Sequence, residues 1–261
     1  MSAEGQVRVE RDGAIATVVL DRPEKLNALT RAMWASLGTT IDALSADDGL
    51  RCVILRGAGE KAFSPGNDIG EFATGRSNKA QARDYGATMH ATAHALARCR
   101  HPLVAQIHGI CVGGGLEIAA LCDLRICGTS SRFGAPIKNL GLVMAYDEMA
   151  PLVRLVGPAI ALEILLEGRV FDAAEALQKG LVTRVVADDQ VAAEVRATAE
   201  RIADGAPLVA RWHKKFARRL AEGTPLSAAE RDECFDCFDT EDFRTGYAAF
   251  LAKAKPAFQG R

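Results

Sequence analysis

The chain has 261 residues, 49% of them hydrophobic and 25% charged, with 32 basic against 33 acidic side chains and a formal net charge of −1. That length suits one large α/β domain able to bury a substantial core, and the charge balance excludes a polybasic nucleic-acid binder and an acidic solvating tail. Seven cysteines, with Cys234 and Cys237 as a lone CxxC, match neither a disulfide framework nor a zinc array. Unpaired thiols suit a reducing compartment, there is no apolar leader, and no run approaches the roughly 18 uninterrupted apolar residues of a membrane span, so the expected location is the cytoplasm.

In chain order, Ala14 to Leu20 is an apolar, β-branched run between Asp12-Gly13 and Asp21-Arg22-Pro23, and reads as a strand. Thr30 is placed to cap a helix through about Leu44. Cys52 to Leu55 reads as a short buried strand, followed by an irregular loop from Phe63 to Gly70. A helix is expected from Lys79 to Arg98 and a strand from Leu103 to Ile107, then Gly113-Gly114-Gly115 and at once a helix, Leu116 to Leu121. Leu124 to Cys127 and Leu181 to Val186 complete the strands; beyond about Asp188 the pattern is helical. Strands alternating with helices predict a mostly parallel, layered α/β sheet. The Gly205-Ala206-Pro207 break separates two helices rather than two domains.

Two loops carry the chemistry. Gly113 to Gly115 lies between a strand and a helix, where the free N–H groups of the first turn and the helix dipole favour negative charge. There is no GKS/T ending and no GxGxxG spacing to make it a nucleotide-phosphate loop. It serves either an oxyanion or tight strand–helix packing. The loop Phe63 to Ile69 is either a surface turn or a second source of N–H donors for the same oxygen. Glu117 stands on a helix apolar on every side, Leu116, Ile118, Ala119, Ala120, Leu121, Cys122. It either complements the helix dipole or acts as a general acid–base beside the oxyanion site.

The chain resembles the crotonase superfamily, the enoyl-CoA hydratase/isomerase group. The resemblance rests on Asp21 to Leu29, Lys61 to Ile69, Gly109 to Asp123, Phe133 to Pro136, Asn139 to Gly141, Ala173 to Ala176, Gly180 to Val182 and Phe250 to Phe258. It implies a spiral of repeated ββα units over 1–190 with the acyl-CoA site, and a C-terminal helical region over 191–261 that serves oligomerisation and covers the pocket. It implies a coenzyme A thioester substrate, a homotrimer or homohexamer, and no metal or redox cofactor, coenzyme A being part of the substrate. The matching positions make Asn67 and Gly114 the main-chain oxyanion donors and Glu117 the proton carrier. Coenzyme A contacts fall on Lys25, Leu26, Ala28, Ser64, Pro65, Gly66, Asp68 and Ile69, with Phe250 and Lys253 near the nucleotide end.

The chain departs from the hydratase pattern at Ile137, which occupies the place of a second glutamate; Lys138 beside it brings a cation. Two-carboxylate hydration is therefore not expected, and isomerisation with Glu117 as a single carboxylate is. Tyr146 and Asp147 are candidate auxiliaries for a decarboxylase or hydrolase alternative, and a silent acyl-CoA-binding module is the non-enzymatic alternative. Asp147 and Glu148 could equally be first-turn charges of the following helix. His108 reads as a packed residue, and His90 with His94 as a helix surface rather than a metal pair. The basic run His213, Lys214, Lys215, Arg218, Arg219 reads as a solvated helix face or an adenosine-phosphate contact.

Overall fold

The computed structural model describes residues 5–261. Its strands are β1 (Gln6–Asp12), β2 (Ile15–Asp21), β3 (Cys52–Gly57), β4 (Ala62–Ser64), β5 (Leu103–Ile107), β6 (Ile110–Val112), β7 (Leu124–Gly128), β8 (Arg132–Gly134), β9 (Val170–Asp172) and β10 (Arg184–Val186). Its helices are α1 (Arg31–Ala46), α2 (Phe72–Gly75), α3 (Lys79–Arg98), α4 (Gly114–Leu121), α5 (Tyr146–Glu167), α6 (Ala173–Gln178), α7 (Val191–Ala203), α8 (Pro207–Leu220), α9 (Ala228–Asp232) and α10 (Glu241–Ala252).

Two sheets share these strands. The larger runs β1-β2-β3-β5-β7-β10, and the smaller β4-β6-β8-β9. Within the larger sheet only β1 pairs antiparallel; within the smaller only β9 does. Three successive units, starting at β3, β5 and β7, each give one strand to the large sheet, the next to the small sheet, and then a helix. That is the expected ββα spiral.

The period-2 alternation of the buried strands explains the layers. Val53 and Leu55 face a core shared with Leu37, Met89 and Leu96 of α1 and α3, whereas Cys52 and Ile54 face Val191, Val195 and Ala199 of α7. The N-caps follow their side chains: Thr30 accepts from the Met33 amide at 3.2 Å and Asn78 from the Gln81 amide at 3.1 Å.

Some expectations need correction. The expected strand from Leu181 forms only at Arg184–Val186, because Gly180, with φ +71°, turns the chain and Leu181 and Val182 are buried on the way out of α6. Strands β4, β6 and β8 have three residues each, too few to show a period. Strand β1 is a largely exposed edge whose Gln, Arg, Glu and Asp hide its alternation. Helix α5 is long and apolar enough, by length and composition, to cross a membrane. It is interrupted at Gly157 (φ 78°, ψ 162°), which sits directly before Pro158, and it packs on α4 and α3.

Candidate active site

Adjacent parallel strands release their following loops at the same edge of a sheet. Because β4, β6 and β8 lie side by side and β6 is parallel to both neighbours, the segments after Ser64, Val112 and Gly134 emerge together. They enclose a cavity of about 120 Å³ lined by Pro65, Asn67, Ile69, Val112, Gly113, Gly114, Glu117, Pro136 and Ile137, with Phe72, Arg76, Met89, Leu140, Leu142, Val143 and Glu148 completing the wall.

Loop 65–69 is held from below. The Ser64 hydroxyl donates to Asn27 O at 2.8 Å and accepts from the Gly66 amide at 3.0 Å. The chain from Lys25 runs alongside: the Leu29 amide donates to Gly66 O and the Asp68 amide to Leu29 O, both at 2.8 Å. Asp68 pairs with the buried Arg22 at 2.7 Å, and this guanidinium holds its carboxyl below the usual range. Ser64 is fully buried and its hydroxyl is committed within the loop. It braces the loop from within rather than offering its hydroxyl to a ligand.

Helix α4 starts without a side-chain cap. Gly113 adopts φ 53°, ψ −125°, a conformation open to glycine, and delivers Gly114 against the first loop. A Cβ at Gly114 would stand 3.0 Å from Trp34 Cζ2, 3.2 Å from Gly66 Cα and 3.6 Å from the Asn67 nitrogen. A Cβ at Gly66 would come within 2.5 Å of the Gly114 nitrogen. The main chains of the two loops thus pack closely at Gly66 and Gly114, with Asn67 alongside. Trp34, on α1, adds a clamp: its indole N–H donates to Asn67 Oδ1 at 2.6 Å.

Glu117 lies one helical turn on and lines the same cavity. Burial, together with the negative charge of Glu148, pushes its carboxyl up to about 8, against a small opposing effect of Arg76. Glu148 reaches this position from the first turn of α5. Its Oε2 accepts from the Ala145 amide at 3.0 Å, and its Oε1 lies 3.3 Å from His90 Nε2. Glu117 and Glu148 also share a second, tight gap of about 10 Å³. Two carboxylates, Glu117 and Glu148, therefore line the cavity.

The remaining candidates divide. Ile137 lines the cavity as an apolar wall. Tyr146 is 93% exposed and Asp147 turns towards His90 and His94, so neither enters the cavity. Leu26, in the left-handed region at φ 54°, and Ala28 flank the first loop, while Lys25 is exposed close enough for its charge to act on Asp68. Phe250 and Lys253 are exposed at the end of α10, and no residue of α10 lines the cavity. His108 is a packed residue beside Gln106, its imidazole pushed down by burial. In the basic run, Lys214 and Arg218 turn inward to Asp123, at 2.7 and 3.1 Å, while Lys215 and Arg219 pair with Glu233 and Glu230, so the run is not a simple solvated face. Among the described residues, no group of three or more His, Cys, Asp or Glu side chains is arranged to hold a metal ion. A larger cavity, about 1000 Å³ between α8, α9 and the end of α3, is lined by Lys214, Lys215, Arg218 and Arg219 of the basic run and by none of the expected oxyanion or acid–base residues.

A sequence model described as enoyl-CoA hydratase/isomerase matches residues 10–261. The chain belongs to the enoyl-CoA hydratase/isomerase family. It is an enzyme of that family. Relatives include a probable enoyl-CoA hydratase of Rhizobium meliloti, 36% identical over 97% of each chain, and a short-chain-enoyl-CoA hydratase of Clostridium acetobutylicum, 33% identical over 95% of each. Among solved structures, an enoyl-CoA hydratase/carnithine racemase from Magnetospirillum magneticum superimposes with a TM-score of 0.96 at 52% identity, covering 98% of this chain and 96% of that one. A putative family member from Hyphomonas neptunium gives 0.93 at 32% identity over 98% of each.

Of the residues around the site cavity, Trp34 was not found from sequence, and Glu148 was singled out only with a first-turn helix charge as an equal reading. Trp34 lies in a helix 33 residues before its partner Asn67, and nothing local marks it. The signal for Glu148 was an acidic pair at the start of an apolar helix, which a first-turn helix charge explains equally well.

Proposed function

We propose that this enzyme forms and reprotonates the enolate of an enoyl-CoA thioester, the amide N–H groups of Asn67 and Gly114 holding the thioester oxygen. Removing a proton alpha to a thioester, or adding water across its conjugated double bond, puts negative charge on that oxygen. Preset N–H dipoles stabilise the charge without reorganising, and losing one such donor typically costs about 10²–10³ in rate. The observation that carries this reading is the uncapped start of α4 at Gly114, against Asn67 and one turn from Glu117, all on one cavity. Ser64, fully buried beneath the loop, with Lys25, Leu26, Ala28, Pro65, Gly66, Asp68 and Ile69, would form the coenzyme A side of the site.

The reaction class we favour is double-bond isomerisation. The ionised member of the Glu117/Glu148 pair takes a proton from the carbon alpha to the thioester, and the protonated member returns one at the gamma carbon. The raised carboxyl of Glu117 supports this, since a like-charged pair in a dry site shares a proton. A second reading is hydration of a 2-enoyl-CoA with water held between the two carboxylates. It is favoured by Glu148 replacing the carboxylate missing at Ile137 and by the hydratase names of the relatives. The exposed positions of Tyr146 and Asp147 weigh against a decarboxylase or hydrolase built on them. The exposed aromatic side chains Phe235, Phe238, Tyr247 and Phe250 of the 191–261 region support assembly into a trimer or hexamer, and seven free thiols support a cytoplasmic location.

The test is incubation with short 3-enoyl-CoA and 2-enoyl-CoA thioesters, once in deuterated water and once in ¹⁸O-labelled water, followed by mass spectrometry. Isomerisation gives interconversion and deuterium at carbon without ¹⁸O; hydration gives a hydroxyacyl product carrying ¹⁸O. Tight binding of both thioesters with neither label would overturn the enolate reading in favour of a silent acyl-CoA-binding module.

A further inference from the structure

The side chains behind Glu148 form a chain that the enolate chemistry does not itself require. His90 and His94 are four residues apart on α3, so they project from one face. Both meet the first turn of α5. His90 Nε2 lies 3.3 Å from Glu148 Oε1, His90 Nδ1 3.4 Å from Asp147 Oδ2, and His94 Nε2 3.4 Å from Asp147 Oδ1. Exposure rises steadily along this order, from 12% at Glu148 through 27% at His90 and 49% at Asp147 to 59% at His94. The two imidazoles thus alternate with carboxylates from the dry site to bulk water.

We infer that His90, Asp147 and His94 form a proton relay that connects the Glu148/Glu117 pair to solvent. The relay rests on the enolate reading above. Outward, Glu148 gives its proton to Nε2 of His90, and the imidazolium so formed releases the proton on Nδ1 to Oδ2 of Asp147. Rotation of the Asp147 carboxyl about its Cβ–Cγ bond carries that same proton to the side facing His94, which takes it on Nε2 and loses its other ring proton to water. Inward transfer reverses each step and returns His90 to its first tautomer, so one proton out and one in leave every group as it began. Imidazole suits this task because its two nitrogens can accept on one side and donate on the other near neutral pH. The groups facing the relay are Glu117 from α4, Asp147 and Glu148 from α5 and, beyond α2, Arg76, whose charge acts on Glu117.

An isolated site behaves differently. Without an exit, a proton taken from the alpha carbon stays on the carboxylate pair, so the hydrogen delivered to product comes from substrate, of that turnover or the one before, and not from solvent. With the relay, it exchanges with solvent during turnover. His90 acts through Glu148 and is a positioning residue, so its test needs a readout that a packing role does not move.

The experiment measures solvent deuterium per turnover in the product of a 3-enoyl-CoA, with kcat and KM, for the wild type, His90→Gln and Asp147→Asn. Asp147 is about half exposed, so its variant keeps the fold intact. We expect KM within about twofold, kcat lower by roughly tenfold, deuterium per turnover at least about threefold lower in both variants, and recovery of both readouts in His90→Gln on adding free imidazole. Variants that turn over with wild-type deuterium content overturn the relay while leaving the enolate reading intact, as does a kcat loss in His90→Gln that imidazole does not restore. A wild type that processes no enoyl-CoA and exchanges no alpha proton overturns both.

Discussion

The indole N–H of Trp34 donates to the side-chain oxygen of Asn67 at 2.6 Å, and the same ring closes on Gly114. One side chain of α1 therefore locates both proposed oxyanion donors, although it offers no hydrogen bond to the ligand itself. Trp34→Phe keeps the packing and removes the donor. We expect kcat/KM for an enoyl-CoA to fall roughly tenfold, since misplacing a catalytic group by about 1 Å can cost up to 10²-fold. Asn67→Ala retains the main-chain N–H and should fall by a similar factor. A loss of activity in Asn67→Ala much larger than in Trp34→Phe would mean that the Asn67 side chain acts directly.

Gly114→Ala tests the contact between the loops. The added methyl meets Trp34 and the Gly66 main chain at 3.0 and 3.2 Å, so the loops must part. Overpacking of this kind typically costs about 1–3 kcal/mol. Activity should fall by about 10² or more with an unchanged far-ultraviolet circular dichroism spectrum. Near-wild-type turnover would place the oxyanion donors elsewhere.

Glu117→Gln should lower solvent exchange of alpha protons by about 10²–10⁴. Glu148→Gln should lower it by at least about 10², whereas a single-carboxylate enzyme would leave it nearly unchanged. The Glu117 variant also has a stability signature. The folded state holds the Glu117 proton up to about pH 8, while the unfolded chain releases it near the ordinary value of 4.5. Between those limits the folded state binds more protons, so Glu117 destabilises progressively as pH rises. Below 4.5 the penalty is absent, and above 8 it is complete. The Tm of Glu117→Gln should therefore match the wild type near pH 4.5 and exceed it increasingly towards pH 8, where the unfolding free energies differ by a few kcal/mol, on the order of 5 at most. A constant offset across that range would show that Glu117 is not desolvated.

Arg125 braces the far end of α4. It is 4% exposed and donates to Leu181 O at 2.9 Å, to Ala119 O at 3.3 Å and to Cys122 O, tying the helix terminus to the turn after α6. Arg125→Met keeps the volume and strands those carbonyls. A loss of about 2–4 kcal/mol is expected in urea unfolding, with kcat reduced because α4 carries both Gly114 and Glu117. Stability within about 0.5 kcal/mol of wild type would show that water replaces the guanidinium there.

Much of this was legible from local pattern. The β-branched runs became β2, β3 and β5, the Thr30 cap started α1, and the glycine run opened α4 against the small sheet. Glu117 was conspicuous because a carboxylate on a helix apolar all round needs a reason. Strands β4 and β6 were not legible, since three residues carry no period, although their parallel pairing is what brings the two loops together.

The amino-acid order by itself determined the elements, their alternation and the chemical character of each loop, because propensity, capping and hydrophobic period act within a turn or two of the chain. Tertiary structure alone decided that Trp34 meets Asn67, that Glu148 rather than Tyr146 or Asp147 lines the 120 Å³ cavity with Glu117, and that Phe250 and Lys253 lie outside that cavity. Those outcomes depend on the register of β4 beside β6 and on how α5 lies against α3 and α4. Many weak contacts between distant residues set that packing, and no short segment records their sum.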